Sequence, residues 1–169
     1  VNYAKSVGAS VFVSIHNNST TSSSVHGATV YYPNSSLNAN IGAQGGALAN
    51  EVLKQLVALG LANDGTRIRN SESGDTYTDG SICDYYSVIR NSKKAGFPGI
   101  IIEHAYIRHQ SDATNYLGSE TALKKLGIAD AQGIVNYLGS KQEDQHLTLE
   151  ESFYLNNNHD VKKHWGNTA

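Results

Sequence analysis

The chain has 169 residues, of which 39% are hydrophobic and 17% charged, a composition typical of one globular domain. Its formal net charge of −2 gives no general attraction to nucleic acid or to an anionic membrane surface. The longest apolar runs, at residues 11–13 and 99–102, fall far short of the roughly 20 residues that span a bilayer, so membrane insertion is not expected. A single cysteine, Cys83, excludes an internal disulfide.

The first half of the chain predicts two strands and one long helix. Residues 3–8 are typical of the last turns of a helix that Gly8 ends. The nearly continuous apolar run of residues 9–16 predicts a strand covered on both faces, and residues 27–32 predict a second strand. Apolar residues recur at helical spacing over residues 36–59, which predicts a helix. These residues are Ile41, Leu48, Val52, Leu56 and Leu59.

The second half predicts one clear strand among loops and helices. Residues 63–80 are polar and rich in turn formers, which predicts a loop, and residues 84–89 fit either a strand or a short helix. The apolar segment 99–103 predicts a buried strand. The remaining predicted helices cover residues 92–96, 113–117 and 119–138. In the last helix, the side chains expected to face the core are Leu123, Leu126, Ile134 and Leu138.

Strands that alternate with helices predict an α/β fold, with a mixed, mostly parallel sheet flanked by helices on both faces. The pattern becomes polar after residue 139, so we expect a domain over residues 1–139 and a polar tail or linker over residues 140–169. The chain begins within a helical pattern and without a methionine. We therefore expect a chain that has been processed or shortened.

Two residues stand where an apolar strand gives way to a loop, the usual place for functional groups in an α/β sheet. His16 follows the first predicted strand, and Glu103 follows the segment Gly-Ile-Ile-Ile. A neutral imidazole is a preferred zinc ligand, and a partly desolvated carboxylate can act as a general base. Taken alone, each has a plainer interpretation, because a histidine or glutamate at such a position more often has a structural role.

The sequences around these residues resemble those of the zinc-dependent N-acetylmuramoyl-L-alanine amidases. The segment VSIHNNS at 13–19 is similar to the family's zinc-ligand segment, and GFPGIIIEHAYI at 96–107 is similar to its catalytic-glutamate strand. Further similar segments occur in the same order over residues 1–139. They are HGATVYYP, DGTRIR, DYYSVIR, SDATNYL and LGIADAQGIVNYL.

The resemblance implies a phosphorylase/hydrolase-like sandwich and a cell-wall hydrolase that cuts the amide bond between N-acetylmuramic acid and L-alanine in peptidoglycan. It implies that His16 binds Zn²⁺, and that Glu103 takes a proton from the attacking water and then gives it to the departing amine. The substrates would be peptidoglycan and muropeptides, and the location would be secreted or at the cell envelope.

Four further residues are weaker candidates for the site. Asn18 is expected to orient the ligand loop or to bind substrate, and Arg90 is expected to meet a substrate carboxylate; a turn residue and a solvated surface arginine are the plainer interpretations. Tyr85 and Tyr86 could line a sugar or peptide groove, although core packing of one of them is expected. His104 should point to the opposite face from Glu103 and is not expected to be a ligand.

The chain departs from the family pattern in its metal ligands. The family's other two zinc ligands, a histidine in a Gly-His-Gly segment and a later glutamate, belong to an amino-terminal third that this sequence does not contain. Catalytic zinc usually has three protein ligands. His109 is the nearest candidate to replace one. The other histidines are expected at the surface, and they are His26, His146, His159 and His164.

These departures leave other functions open. One alternative is an amidase-like domain that binds peptidoglycan, or regulates a partner, without catalysis. Another is a zinc carboxypeptidase-like peptidase, although its His-x-x-Glu pair is not found. A third is an α/β domain with a purely structural role.

Overall fold

The computed structural model describes the backbone of residues 1–145 and the side chains of residues 1–140, and it shows a mixed α/β fold. Four strands form one open sheet: β1 (Phe12–Asn18), β2 (Ala28–Tyr31), β3 (Asn63–Arg67) and β4 (Gly99–Tyr106). The helices are α1 (Asn2–Ser6), α2 (Ala39–Ala58), α3 (Ser87–Ala95), α4 (Gln110–Asp112), a π-helical turn (Ala113–Leu117) and α5 (Glu120–Gln145).

The strand order in the sheet is β1-β4-β2-β3. Strand β1 pairs with β4 in parallel, β2 pairs with β3 in parallel, and β2 pairs with β4 antiparallel. The most buried strand is β4, in which seven of the eight residues are buried, as expected for a central strand with cover on both faces. This arrangement confirms the predicted mixed and mostly parallel sheet.

Helices lie on both faces of the sheet. On one face, His104 of β4 makes a hydrogen bond to Asp130 of α5. On the other face, a side chain at Gly99 would collide with Ser92 of α3, so glycine lets this helix approach β4 closely. Helix α2 begins at the side-chain cap Asn38, which accepts a hydrogen bond from Ile41 N–H. Its buried apolar stripe includes Leu48, Val52 and Leu56, as the spacing predicted.

Several element boundaries differ from the sequence predictions. The polar segment 63–67 is strand β3 rather than part of a loop, and its partner β2 supplies the apolar side chains. The two predicted pieces at 84–89 and 92–96 are replaced by one helix, α3, which runs through residues 87–95. Residues 113–117 form a π-helical turn.

Two packing predictions were wrong. Strand β1 was expected to be covered on both faces, but it lies at one edge of the sheet, and Ile15 is 58% exposed. Leu123 was expected in the core, but it is 48% exposed on the first turns of α5, whereas Leu126 is 1% exposed.

The chain divides into one compact unit of residues 1–137 and a second of residues 138–169. Helix α5 was predicted to end at residue 138 and continues to Gln145. Most of the predicted tail, including His146, His159 and His164, lies outside the described residues, and the domain boundary at residue 139 stays a prediction. None of the described helices combines the length and hydrophobicity needed to cross a membrane.

Candidate active site

His16 and Glu103 lie side by side on neighbouring parallel strands. They are register partners in the β1–β4 pair. Residues directly opposite each other in a sheet share a face, so both side chains project from the same face. Each residue is followed by more strand, since β1 continues to Asn18 and β4 to Tyr106. The pair therefore lies within the sheet rather than at the strand ends where the sequence placed it.

The two side chains have different surroundings. The imidazole of His16 is exposed, and its Nε2 shares a hydrogen bond of 2.8 Å with the Ser14 hydroxyl. Glu103 is half-buried, and its Oε2 is buried without a hydrogen-bond partner among the described residues. Burial raises the pKa of Glu103, and the nearby imidazoles of His16 and His104 partly oppose that increase. A carboxylate of this kind is suited to take up a proton.

A hydrogen-bonded group anchors the adjacent strands beside Glu103. Thr29 of β2 is the register partner of Glu103 on the other side of β4. The Thr29 and Tyr106 hydroxyls both donate to Asp64 Oδ2, over 2.6 and 2.9 Å. Arg67 forms an ion pair with the same carboxylate through its Oδ1. The sequence gives no signal for this group, because its members come from three strands and no local spacing connects them.

The opposite face of β4 carries a second polar pair. His104 Nε2 and Asp130 Oδ2 are 2.8 Å apart, and both side chains are buried. This confirms the prediction that His104 points away from Glu103. A cleft of about 290 Å³ lies beside the pair, and it is lined partly by Ile15 and Leu126. His16 also lines the cleft, which therefore lies on the His104 face of β4 and extends to the edge of the sheet at His16.

The described residues do not form a complete metal site. Within the part of the chain that the structure describes, no three His, Cys, Asp or Glu side chains converge so as to hold a metal ion. His109 stacks on His26, with ring centroids 4.6 Å apart, and its Nδ1 accepts a hydrogen bond from Asp112 N–H. It caps the short helix α4 and is not brought together with His16 in a ligand cluster. His16 thus fits one position of a zinc site, and the described residues do not supply the rest.

Asn18 and Arg90 both make local contacts. The Asn18 side chain accepts a hydrogen bond from Ser19 N–H, and its carbonyl accepts one from Ile107 N–H, so it ties the end of β1 to β4. Arg90 donates to the Asp84 carbonyl over 3.0 Å and so holds the loop before α3. Their predicted substrate contacts stay predictions.

A half-buried carboxylate lies beside an exposed imidazole on one face of an α/β sheet, and these are groups that can carry a proton and bind a metal ion. The particular family follows from sequence. The chain belongs to the N-acetylmuramoyl-L-alanine amidase family, whose sequence model matches residues 1–136. This confirms the resemblance found in the sequence. A search of curated protein sequences finds no significant match.

Solved structures show the same fold. Cwp6 from Clostridium difficile is 26% identical with a TM-score of 0.64, over 80% of this chain and 19% of that one. The amidase AmiC2 of Nostoc punctiforme is 27% identical with a TM-score of 0.55, over 82% of this chain and 63% of that one. The catalytic domain of the amidase CwlV from Bacillus (Paenibacillus) polymyxa, 24% identical with a TM-score of 0.57, is similar in fold over 82% of this chain. This chain spans 63% of the length of the AmiC2 and CwlV structures.

Proposed function

We propose that the chain contributes to hydrolysis of the amide bond between N-acetylmuramic acid and L-alanine in peptidoglycan, at the cell envelope or outside the cell. The observation that carries the proposal is the register pairing of His16 with the half-buried Glu103 in a chain of the amidase family. Family membership supplies the substrate class, and the pair supplies groups suited to the chemistry.

Glu103 is the proton carrier in this proposal. Its Oε2 is buried and has no hydrogen-bond partner among the described residues, so the carboxylate is partly desolvated and has a greater tendency to take up a proton from an attacking water. Burial favours the protonated form, so the carboxyl group can hold that proton and deliver it to the departing amine of L-alanine. The hydrogen bonds of the neighbouring Asp64 group hold together the strands that position this carboxylate.

We propose zinc as the cofactor, with His16 as one ligand. Zinc held in part by His16 would supply Lewis acidity, which would lower the pKa of a bound water and polarise the scissile carbonyl. Ser14 already makes a hydrogen bond to His16 Nε2, which fixes the orientation of the ring. The remaining ligands would come from groups other than those described.

The activity is tested by incubating the 169-residue chain with purified muropeptides and zinc, and measuring released peptides with a free L-alanine amino terminus by mass spectrometry. Glu103→Gln keeps the shape of the side chain and removes its ability to carry the proton. We expect a rate loss of about 10²-fold or more. Glu120→Gln, on the exposed first turn of α5, is the matched control and should keep the rate. Equal rates for Glu103→Gln and the original chain would contradict the role of Glu103.

Zinc binding is tested separately by elemental analysis after loosely held metal is removed. We expect tightly bound zinc that His16→Ala releases and that His26→Ala, at another exposed histidine, retains. Zinc retained by His16→Ala would contradict the ligand role of His16, and no zinc in the original chain would contradict the proposal that this chain by itself holds the cofactor.

One observation favours a second function, a peptidoglycan-binding domain without catalysis. No three potential ligands converge among the described residues. Binding to purified peptidoglycan that is unchanged in Glu103→Gln, without any release of peptides, would favour this function over hydrolysis.

A further inference from the structure

Four residues form an aromatic–arginine cluster, which we define as Tyr31, Arg69, Tyr85 and Tyr86. The Tyr86 ring lies 4.9 Å from the Tyr31 ring and 5.1 Å from the Tyr85 ring, measured between centroids. The guanidinium carbon of Arg69 lies 3.7 Å from the centroid of the Tyr85 ring. Arg69 Nη1 also donates to the Tyr86 hydroxyl over 3.3 Å. The guanidinium is therefore held in a fixed plane by two tyrosines.

The cluster begins on the same face of the sheet as Glu103. Thr29 is in register with Glu103, and Tyr31, two residues further along β2, is in register with Ile101. Residues two apart in a strand share a face and are separated by about 7 Å. Thr29 and Ile101, which lie between Glu103 and Tyr31, are 0% and 4% exposed, so the cluster forms a surface separate from the Glu103 carboxylate.

Buried contacts fix the position of the two tyrosines that hold Arg69. Asp84, which precedes Tyr85, accepts hydrogen bonds from Asn34 N–H and the Tyr77 hydroxyl. It also forms a buried ion pair with Lys93 of α3. A loop held this firmly presents a preorganised surface, which lowers the entropic cost of binding a ligand.

The ion pair with Glu72 uses only part of the capacity of the Arg69 guanidinium to bind a carboxylate. Arg69 Nε and Nη2 both donate to one oxygen of Glu72, Oε1, over 3.0 and 2.6 Å. The Glu72 side chain is 66% exposed and that of Arg69 is 37% exposed. Exposed pairs of this kind contribute little stability, and a guanidinium prefers a carboxylate that offers both oxygens. Another carboxylate can therefore displace Glu72.

We infer that Arg69 binds a free carboxylate of the peptide stem, and that Glu72 occupies the same position when no substrate is present. This inference rests on the proposed function for the identity of the ligand as a stem peptide. Tyr85 and Tyr86 hold the guanidinium in the plane that a two-oxygen contact requires. The cluster thus selects anionic stem peptides over those whose carboxylates are amidated.

The test measures binding of the tripeptide L-alanyl-D-glutamyl-L-lysine to the full chain by calorimetry, in parallel with the same peptide with both carboxylates amidated. We expect the free acid to bind at least about 10-fold more tightly, the effect of one hydrogen-bonded charge pair. Arg69→Gln should remove this preference, and Arg108→Gln, at another exposed arginine, should keep it.

The variant Glu72→Gln distinguishes two roles of the Arg69–Glu72 ion pair: competition with the ligand for Arg69, or a purely structural role. If Glu72 competes with the ligand, this variant should bind the free acid several-fold more tightly, whereas loss of a purely structural ion pair should not improve binding. Equal affinity for the two peptides, a preference that survives Arg69→Gln, or weaker binding by Glu72→Gln would overturn the inference.

Hydrolysis assays keep this inference distinct from the proposed function. Cleavage of acid and amidated muropeptides with the same KM, in the original chain and in Arg69→Gln, would overturn the inference and leave the amidase function standing. Arg69-dependent binding of the free acid, without cleavage of either substrate, would support the inference and contradict the amidase function.

Discussion

Lys93 places an ammonium group where water does not reach, since its side chain is 0% exposed. Four protein groups compensate it: the Asn34 carbonyl, the Asn34 side-chain oxygen, the Ser36 carbonyl and the Asp84 carboxylate. A buried charge is tolerated only when its partners replace the lost hydration. Its partners come from the turn after β2 and the loop before α3, so one side chain connects two loops to a helix.

We predict that Lys93→Met destabilises the fold by about 3–5 kcal/mol, because it leaves the Asp84 carboxylate buried without its counter-charge. The free energy of unfolding is measured by urea denaturation followed by circular dichroism. The adjacent and exposed Lys94 is the matched control, and Lys94→Met should change stability by less than about 0.5 kcal/mol. Similar values for the two variants would show that the buried pair does not stabilise the fold.

At the scale of single residues, the sequence singled out the two paired groups of the candidate site but not the residues around them. His16 and Glu103 could be singled out because each follows an apolar strand segment and lies in a family-like string. The aromatic–arginine cluster could not be assembled in the same way. Tyr31 lies on β2 and Arg69 follows β3, and both contact Tyr86, which lies just before α3. Such contacts are set by tertiary structure, and local spacing does not encode them.

At the scale of elements, the contact between α5 and α2 depends on one glycine. A side-chain carbon at Gly133 would lie 2.5 Å from Val52 Cα and 2.9 Å from the Glu51 carbonyl oxygen, both in α2. Backbone atoms cannot move aside as a flexible side chain can. The two helices therefore approach as closely as they do because position 133 has no side chain.

We predict that Gly133→Ala destabilises the fold by about 1–3 kcal/mol, although alanine is the better helix former. Gly127, in the same helix, has open space around it and provides the control. Gly127→Ala should stabilise the fold by about 0.5–1 kcal/mol, since only the helix preference acts there. Thermal unfolding of both variants measures the difference. A stability gain in both would show that α5 moves away from α2 at no cost.

Whether a segment forms a helix or a strand was predictable where its hydrophobic periodicity was strong. It was less predictable where pairing with another strand decides the structure. Helix α2 has a regular apolar stripe and was predicted within three residues at its start and one at its end. Strand β3 reads Asn-Asp-Gly-Thr-Arg, and it is a strand only because β2 offers it hydrogen bonds. Leu123 followed the apolar pattern but lines the open cleft beside Ile15, where it is 48% exposed.

At the scale of the whole molecule, the sequence predicted the layers but not the strand order. Alternating strands and helices imply a sheet with helices on both faces. Nothing in that pattern shows that β4, the last strand in sequence, lies between β1 and β2, or that β2 runs against it. That order brings His16 and Thr29 to either side of Glu103, so the site is a product of topology.

Two buried tyrosines make the stability of the fold sensitive to alkaline pH. Burial, followed by the neighbouring Asp64 carboxylate, raises the pKa of Tyr106 to about 12. Burial and Asp84 raise the pKa of Tyr77 further. Below pH 10 both tyrosines are protonated in the folded and the unfolded chain, so their contribution is constant. Above pH 10 the unfolded chain releases these protons while the folded chain retains them, and stability falls as pH rises.

We predict that the free energy of unfolding falls between pH 10 and 12, with each tyrosine contributing up to about 1.4 kcal/mol per pH unit. Tyr106→Phe should lower stability by about 1 kcal/mol at pH 8, through loss of its hydrogen bond to Asp64, and should make the alkaline decline less steep. Tyr3→Phe is the control, because Tyr3 is 80% exposed and should leave the slope unchanged. Urea midpoints at pH 9, 10, 11 and 12 measure the slope. If the slope is the same in Tyr106→Phe and the original chain, the folded chain releases the Tyr106 proton as readily as the unfolded chain does. The hydrogen bond from Tyr106 to Asp64 would then break at alkaline pH while the sheet is still folded.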